Sequence, residues 1–268
     1  MDFYKEKGKK YKRYQANIVH GRHKGNVPDF LKLIKKYSKK NLKALDLGCG
    51  SGELTIKLAH NFKEIIGVDF ILEYLETAKK DKKRYKIKNI EFIRADAKNL
   101  PFDDETFDLI YSSRGPLSAN YDFIKESLRV LKKGGLLIEE TIGEKDKLEI
   151  KKIFGRGQNY PSKNKKMDSV KALLKKGKAS LLLYKEYFYY TSFKVKGIIE
   201  LLQRAPIIED FNLEKDKIFL KKIEEQLMTT EGIILSSHRL HWVAKKSKIS
   251  KILIKLNFFS KNTINKII

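Results

Sequence analysis

The sequence predicts an α/β domain on a mostly parallel sheet. Short apolar runs alternate with helical stretches from Leu42 to Thr141, a glycine-rich turn joins the first run to a helix, and the segments between runs are long enough to cross over. With 268 residues, 41% apolar and 11% aromatic, the chain can bury one substantial core, which excludes disorder and the mini-protein class.

The elements follow in order. Residues 1–40 read as an N-terminal extension, basic and aromatic at first, then helical, with Asn26 as cap, Pro28 in the first turn and the helix running to about Tyr37. Strands are expected at 43–47, 64–68, 90–94, 107–112 and 136–141. Helices are expected between them at 54–61, 72–79 and 122–132, the last placing Ile124, Leu128 and Leu131 on one face and stopping at Gly134-Gly135. Beyond Thr141 come helices at 146–154 and 167–175, a β-rich run at 180–190, helices at 194–204 and 215–229, and a final strand at 232–245. Residues 247–268 form a basic tail mixing Ile, Leu and Phe with Lys, readable as a packed helix, a frayed appendage or a membrane-surface amphipath.

Charge is easily over-read. The balance of 58 Lys+Arg against 33 Asp+Glu gives +25, but only nine of those cations are arginines. Proteins that read phosphates or base edges lean on the guanidinium fork. A lysine excess spread along the whole chain equally reflects an A/T-biased coding sequence. The single cysteine, Cys49, excludes an intrachain disulfide, a four-thiolate zinc site and a cysteine-held iron–sulfur cluster, and no metal site is expected. A cytoplasmic location is expected, since the first 15 residues lack a signal-peptide core and no run of about 18 apolar residues exists to span a membrane.

The chemistry is carried by Asp46-Leu47-Gly48-Cys49-Gly50-Ser51-Gly52, running from the first strand into a helix for which Ser51 is the expected cap. Glycines there permit a sharp turn and close approach of backbone to a ligand. A dinucleotide fingerprint places its third glycine one position later, where Glu53 stands, and a carboxylate beside a pyrophosphate is unfavourable. The ligand is therefore expected to carry no phosphate. Asp69, closing the second strand, is placed to accept two ribose hydroxyls.

These residues resemble class I S-adenosylmethionine-dependent methyltransferases over roughly 40–246. The resemblance rests on ALDLGCGSGELT at 44–55, IIGVDF at 65–70, FIRADAKNLPF at 92–102, FDLIYS at 107–112 and LKKGGLLIEE at 131–140, five blocks in order. It implies a Rossmann-like three-layer sandwich with a seven-stranded, mostly parallel sheet, an antiparallel last strand and inserted helices (about 143–167 and 191–229) capping the substrate. S-adenosyl-L-methionine is the implied cofactor and S-adenosyl-L-homocysteine the product. The loop of Gly48, Cys49, Gly50 and Ser51 would lie against the methionine part, with Asp46 contacting its amino end. Asp69 would hold the ribose and Phe70 the adenine face. Asp96 would accept from the adenine amino group beside the Ala97 backbone, and Ser112 and Ser113 would face methionine and substrate. Left open are Asp96 as a turn residue, Phe70 as core and Cys49 as a reactive thiol rather than a filler.

A nitrogen or oxygen acceptor must lose a proton, and Glu139, Glu140, His238 and His241 are the candidate bases. The two histidines lie three apart on a strand, hence on opposite faces. Arg114, after the fourth strand, is equally placed to pair with a substrate anion or to brace Glu139 or Glu140. Cys49 is committed to the loop, so covalent methylation of pyrimidine carbon 5 is excluded, and Ser113-Arg114-Gly115-Pro116 departs from the amino-group nucleobase methylases. The expected acceptor is a small molecule; the alternative is RNA, drawn by the basic surface and by the aromatics from Tyr184 to Phe193.

Overall fold

The computed structural model describes residues 23–25, 28–161 and 165–248, so Asn26, most of the N-terminal extension and the tail beyond 248 lie outside the described residues. The strands are β1 (His23–Gly25), β2 (Lys43–Leu47), β3 (Glu64–Asp69), β4 (Ile90–Arg94), β5 (Phe107–Ser113), β6 (Leu131–Ile142), β7 (Ala179–Phe193), β8 (Met228–Thr229) and β9 (Gly232–Lys246). The helices are α1 (Phe30–Tyr37), α2 (Glu53–Leu58), α3 (Leu72–Arg84), α4 (Tyr121–Val130), α5 (Leu148–Phe154), α6 (Lys166–Lys176), α7 (Val195–Arg204) and α8 (Lys217–Leu227).

One sheet runs in the order β1-β7-β9-β6-β5-β2-β3-β4, with β8 paired to β9. β2 to β6 pair in parallel, whereas β9 is antiparallel to both β6 and β7. The expected seven strands are present, the last antiparallel; β1 and β8 bring the total to nine. Both additions are short and lie on β7 and β9, the long strands whose edges extend past the parallel core.

Two apolar layers cover the sheet. On one face α1 buries Phe30 and Ile34 against Ala44, Leu58, Leu75, Tyr111, Ile138 and Val243; on the other, Leu128, Val170 and Leu174 from α4 and α6 meet Leu45, Leu47, Ile110, Leu137 and Trp242. Each such side chain contributes about 1.5–3 kcal/mol. A third cluster, with Ile150, Phe193, Leu201, Ile208, Ile223 and Leu235, holds α5, α7 and α8 together as the cap.

Local chemistry moved several boundaries. Asp29 caps α1, its carboxylate accepting the Lys32 N–H, so Pro28 precedes the helix instead of entering it. Ser51 does not cap α2: Gly52 occupies the cap position in the left-handed region, without a side-chain hydrogen bond. α2 ends at Leu58 and a 3-10 turn continues to Asn61. α4 stops at Val130 because Leu131 already pairs with Phe107, so Gly134-Gly135 lies within β6 and is not a helix end. α8 ends before Met228, which pairs with Ile233.

Candidate active site

The loop after β2 is fixed from both sides. The backbone N–H groups of Gly48 and Cys49 donate to the Val68 carbonyl at 2.8 and 3.0 Å. Gly48 lies so close to Pro116 that a Cβ would sit 2.9 Å from its ring, and a Cβ on Gly52 would fall within 2.6–2.9 Å of Phe92 and Ala78. Gly50 differs: its φ is +53° and a Cβ there would meet nothing within 4 Å. The loop is thus packed at its ends and open at its crown, which suits a ligand lying across the backbone.

Two carboxylates close the strands on either side of the loop, Asp69 at its crown and Asp46 buried beneath it. Asp69 accepts the Gly50 N–H at 2.8 Å and the Ile71 N–H at 2.9 Å. Burial raises its pKa against the pull of these donors. Asp46 is 2% exposed and accepts the Thr55 hydroxyl at 2.6 Å. Burial pushes its pKa up to about 7, the Thr55 bond acting the other way. The buried Tyr111 phenol adjoins it, its own pKa raised first by burial and then by the Asp46 charge. Thr55 lies within the first sequence block and Tyr111 within the fourth; the place of Tyr111 beside Asp46 follows from the register Asp46↔Tyr111, which no local pattern in the sequence displays.

The Cys49 side chain packs over Gly67, and burial pushes its thiol well up, so it fills space. Phe70 is surface-exposed at the end of β3, not core, with the Arg94 guanidinium 5.4 Å from its ring centre. Asp96 starts a turn, its Oδ1 accepting the Lys98 N–H at 2.9 Å, and Ala97 packs against the core edge. Ser112 is fully buried and spends its hydroxyl on the Leu47 carbonyl at 2.7 Å, so it pins β5 to β2 and presents nothing to the opening. Ser113 instead donates toward Glu140 at 3.2 Å.

Strand alternation separates the candidate bases. Glu139 is sealed at 0% exposure, accepting the Ser118 N–H at 3.1 Å and the Trp242 indole at 2.9 Å, and burial raises its pKa to about 7. It braces the interior and does not reach the mouth. Glu140 faces α1 and bonds His241 Nε2 at 2.9 Å. Burial would raise its pKa, but the His241 bond and the Arg114 and Arg239 charges hold it below the usual carboxylate range. His241 packs between Phe30 and Tyr187, at centroid distances of 5.1 and 4.7 Å. His238, on the opposite face, stacks on Phe188 at 4.3 Å; its Nδ1 accepts the Lys145 N–H and burial lowers its pKa. Both histidines are at most 1% exposed, so neither is a surface residue. Of the β7 aromatics, Phe193 is buried and Tyr187 packs on His241, while Phe188 and Tyr190 remain exposed.

The cap is locked to the core by buried charge. Asp146 pairs with Arg239, and Lys147 donates to Ser237 at 2.6 Å. Burial lowers Lys147 to about 8. Arg156 ties the 156–161 turn to Asp210 and Asp216. Between cap and core lies a groove of about 880 Å³, lined by Ser118–Tyr121, Glu144, residues 157–161, Lys166 and Leu173 among others. Among the described residues no cluster of His, Cys, Asp or Glu could hold a metal ion, and no helix is long and apolar enough to cross a membrane.

Strand order and the glycine loop after the first parallel strand are those of a class I S-adenosylmethionine-dependent methyltransferase. The chain belongs to the methyltransferase-domain family, whose profile matches residues 38–260, and its cofactor is S-adenosylmethionine. Among curated proteins it is 37% identical over 106 residues to a demethylmenaquinone methyltransferase of Staphylococcus aureus, covering 37% of this chain and 43% of the relative. It is also 31% identical over 125 residues to the ubiquinone/menaquinone biosynthesis C-methyltransferase of Campylobacter jejuni, covering 43% and 51%. The chain thus spans about half, or less, of these relatives. Among solved structures, a protein of Bacillus halodurans assigned to the methyltransferases superposes with a TM-score of 0.63 at 18% identity, covering 82% of this chain and 99% of that one. A second, from Methanosarcina mazei, gives 0.52 at 18%, covering 84% and 99%.

Proposed function

We propose that this enzyme methylates a small-molecule acceptor. The observation that carries the reading is the groove of about 880 Å³ between the inserted helices and residues 118–121, just past the Gly115-Pro116 turn that packs on Gly48; its size falls within the range of roughly 300–1,000 Å³ of small-ligand sites. When bound, S-adenosylmethionine would supply an electrophilic methyl group for in-line displacement by the acceptor. Asp46 would neutralise the amino end and Asp69 hold the ribose hydroxyls beside Phe70. Ala97 and Asp96 would border the adenine.

Nitrogen and oxygen acceptors fit this chemistry, and the relative named as a C-methyltransferase extends it to an activated carbon. The proton released at the acceptor would pass to solvent or to a base; of the two glutamates, Glu140 lies beside the half-exposed Arg114, whereas Glu139 is sealed in the interior. The alternative, an RNA acceptor, is favoured by the +25 charge and by exposed Phe188 and Tyr190. Calorimetry with S-adenosylhomocysteine, followed by methyl labelling of a small-molecule extract and of total RNA, separates the two. Label confined to RNA would overturn the small-molecule reading.

A further inference from the structure

Arg114 has a conformation that its neighbours impose. Its φ is +55°, a left-handed backbone that costs a non-glycine residue free energy and persists only when its surroundings enforce it. Here the Arg114 N–H donates to the Glu140 carbonyl at 2.7 Å. The next residue, Gly115, is so tightly placed that a Cβ would lie 2.3 Å from Ser112 Oγ and 2.7 Å from the Leu47 carbonyl. Gly115 and Pro116 in turn lean on Gly48 of the cofactor loop. The arginine therefore stands on a rigid turn beside the loop.

Its side chain is not consumed by that scaffold. The side chain is 49% exposed, and Nε approaches Glu140 Oε1 only to 3.8 Å, beyond hydrogen-bond distance. Glu140 is already engaged, by His241 at 2.9 Å and by Ser113 at 3.2 Å. A buried carboxylate kept ionised behind a half-exposed guanidinium steers it without occupying its fork. A planar fork of this kind recognises a carboxylate or an ionised ring hydroxyl through paired N–H···O bonds.

We propose that Arg114 is the docking point for an anionic oxygen on the acceptor, with Glu140 and His241 as its positioning residues. This rests on the small-molecule reading above and narrows it to acceptors bearing a carboxylate, phenolate or enolate oxygen.

The test measures binding to the protein loaded with S-adenosylhomocysteine, using two matched aromatic pairs: 1-naphthoate against its methyl ester, and ionised 2-hydroxy-1,4-naphthoquinone against its methyl ether. Expected is a preference for the anion of roughly ten- to a hundredfold, abolished in Arg114→Gln, partly kept in Arg114→Lys, and reduced in Glu140→Gln. Affinity for S-adenosylhomocysteine should be the same in wild type and Arg114→Gln. Absence of any anion preference in the wild type, or its survival in Arg114→Gln, overturns the proposal. Failure of the wild type to bind S-adenosylhomocysteine overturns the site assignment beneath it instead.

Discussion

The Asp69 carboxylate accepts the Gly50 N–H at 2.8 Å, tying the end of β3 to the crown of the loop after β2. A single acid thus shapes the loop while keeping lone pairs for a ligand. Asp69→Ala should weaken S-adenosylhomocysteine binding by roughly a hundredfold, the scale of two charge-assisted hydrogen bonds, and Asp69→Asn by less. Titration calorimetry measures this, and unchanged affinity would remove the ribose assignment.

The glycines of the loop should part company. Gly52→Ala drives a Cβ to 2.6 Å from Phe92 and should lower stability by about 2–4 kcal/mol. Gly50→Ala meets no atom within 4 Å, so only its left-handed strain of about 1 kcal/mol applies, while cofactor affinity falls because the methyl enters the ligand's space. Thermal melts paired with calorimetry distinguish the two, and equal stability losses would contradict it.

Asp46 links cofactor binding to pH. Its pKa of about 7 in the free protein means that a cationic amino group arriving beside it expels a proton. Affinity for S-adenosylhomocysteine should rise as pH increases from 5 towards 8, and the binding enthalpy should vary with buffer ionisation enthalpy. Both effects should vanish in Asp46→Asn.

The same group sets a stability trend. The folded-state pKa exceeds the unfolded value of about 3.9, so between about pH 4 and 7 the unfolded chain sheds its proton first and folding weakens as pH rises. Asp46→Asn lacks that loss. Its stability relative to wild type should therefore improve across this window, with a slope of up to about 1.4 kcal/mol per pH unit. Denaturant unfolding at pH 5 and pH 8 measures it; a constant difference would refute the assignment.

Glu139 should prove architectural. Glu139→Ala strands the Trp242 indole and the Ser118 N–H in the interior and should cost about 2–4 kcal/mol. Affinity for S-adenosylhomocysteine at a permissive temperature should be kept. A melt unchanged from wild type would show that the buried pairing contributes nothing.

Much of this was legible in the residues. The five parallel strands and the glycine loop follow from apolar runs and turn residues, since both are local signals. For Ser112 the position at a strand end is readable, but the direction of its hydroxyl, toward the Leu47 carbonyl, depends on cross-strand register. Glu139 and Glu140 look equivalent in sequence, yet alternation sends one to Trp242 and the other to His241. Asp146 and Lys147, tied to Arg239 and Ser237 of β9, gave no signal, because those partners lie about 90 positions away.

The long β7–β9 pairing runs from Ala179↔Lys246 to Phe193↔Ile233, so the whole excursion between Phe193 and Ile233 departs and returns at adjacent backbone positions. Such a segment is anchored like the tip of a hairpin. The excursion can therefore vary in length and sequence while the register of the parallel half of the sheet stays as it is.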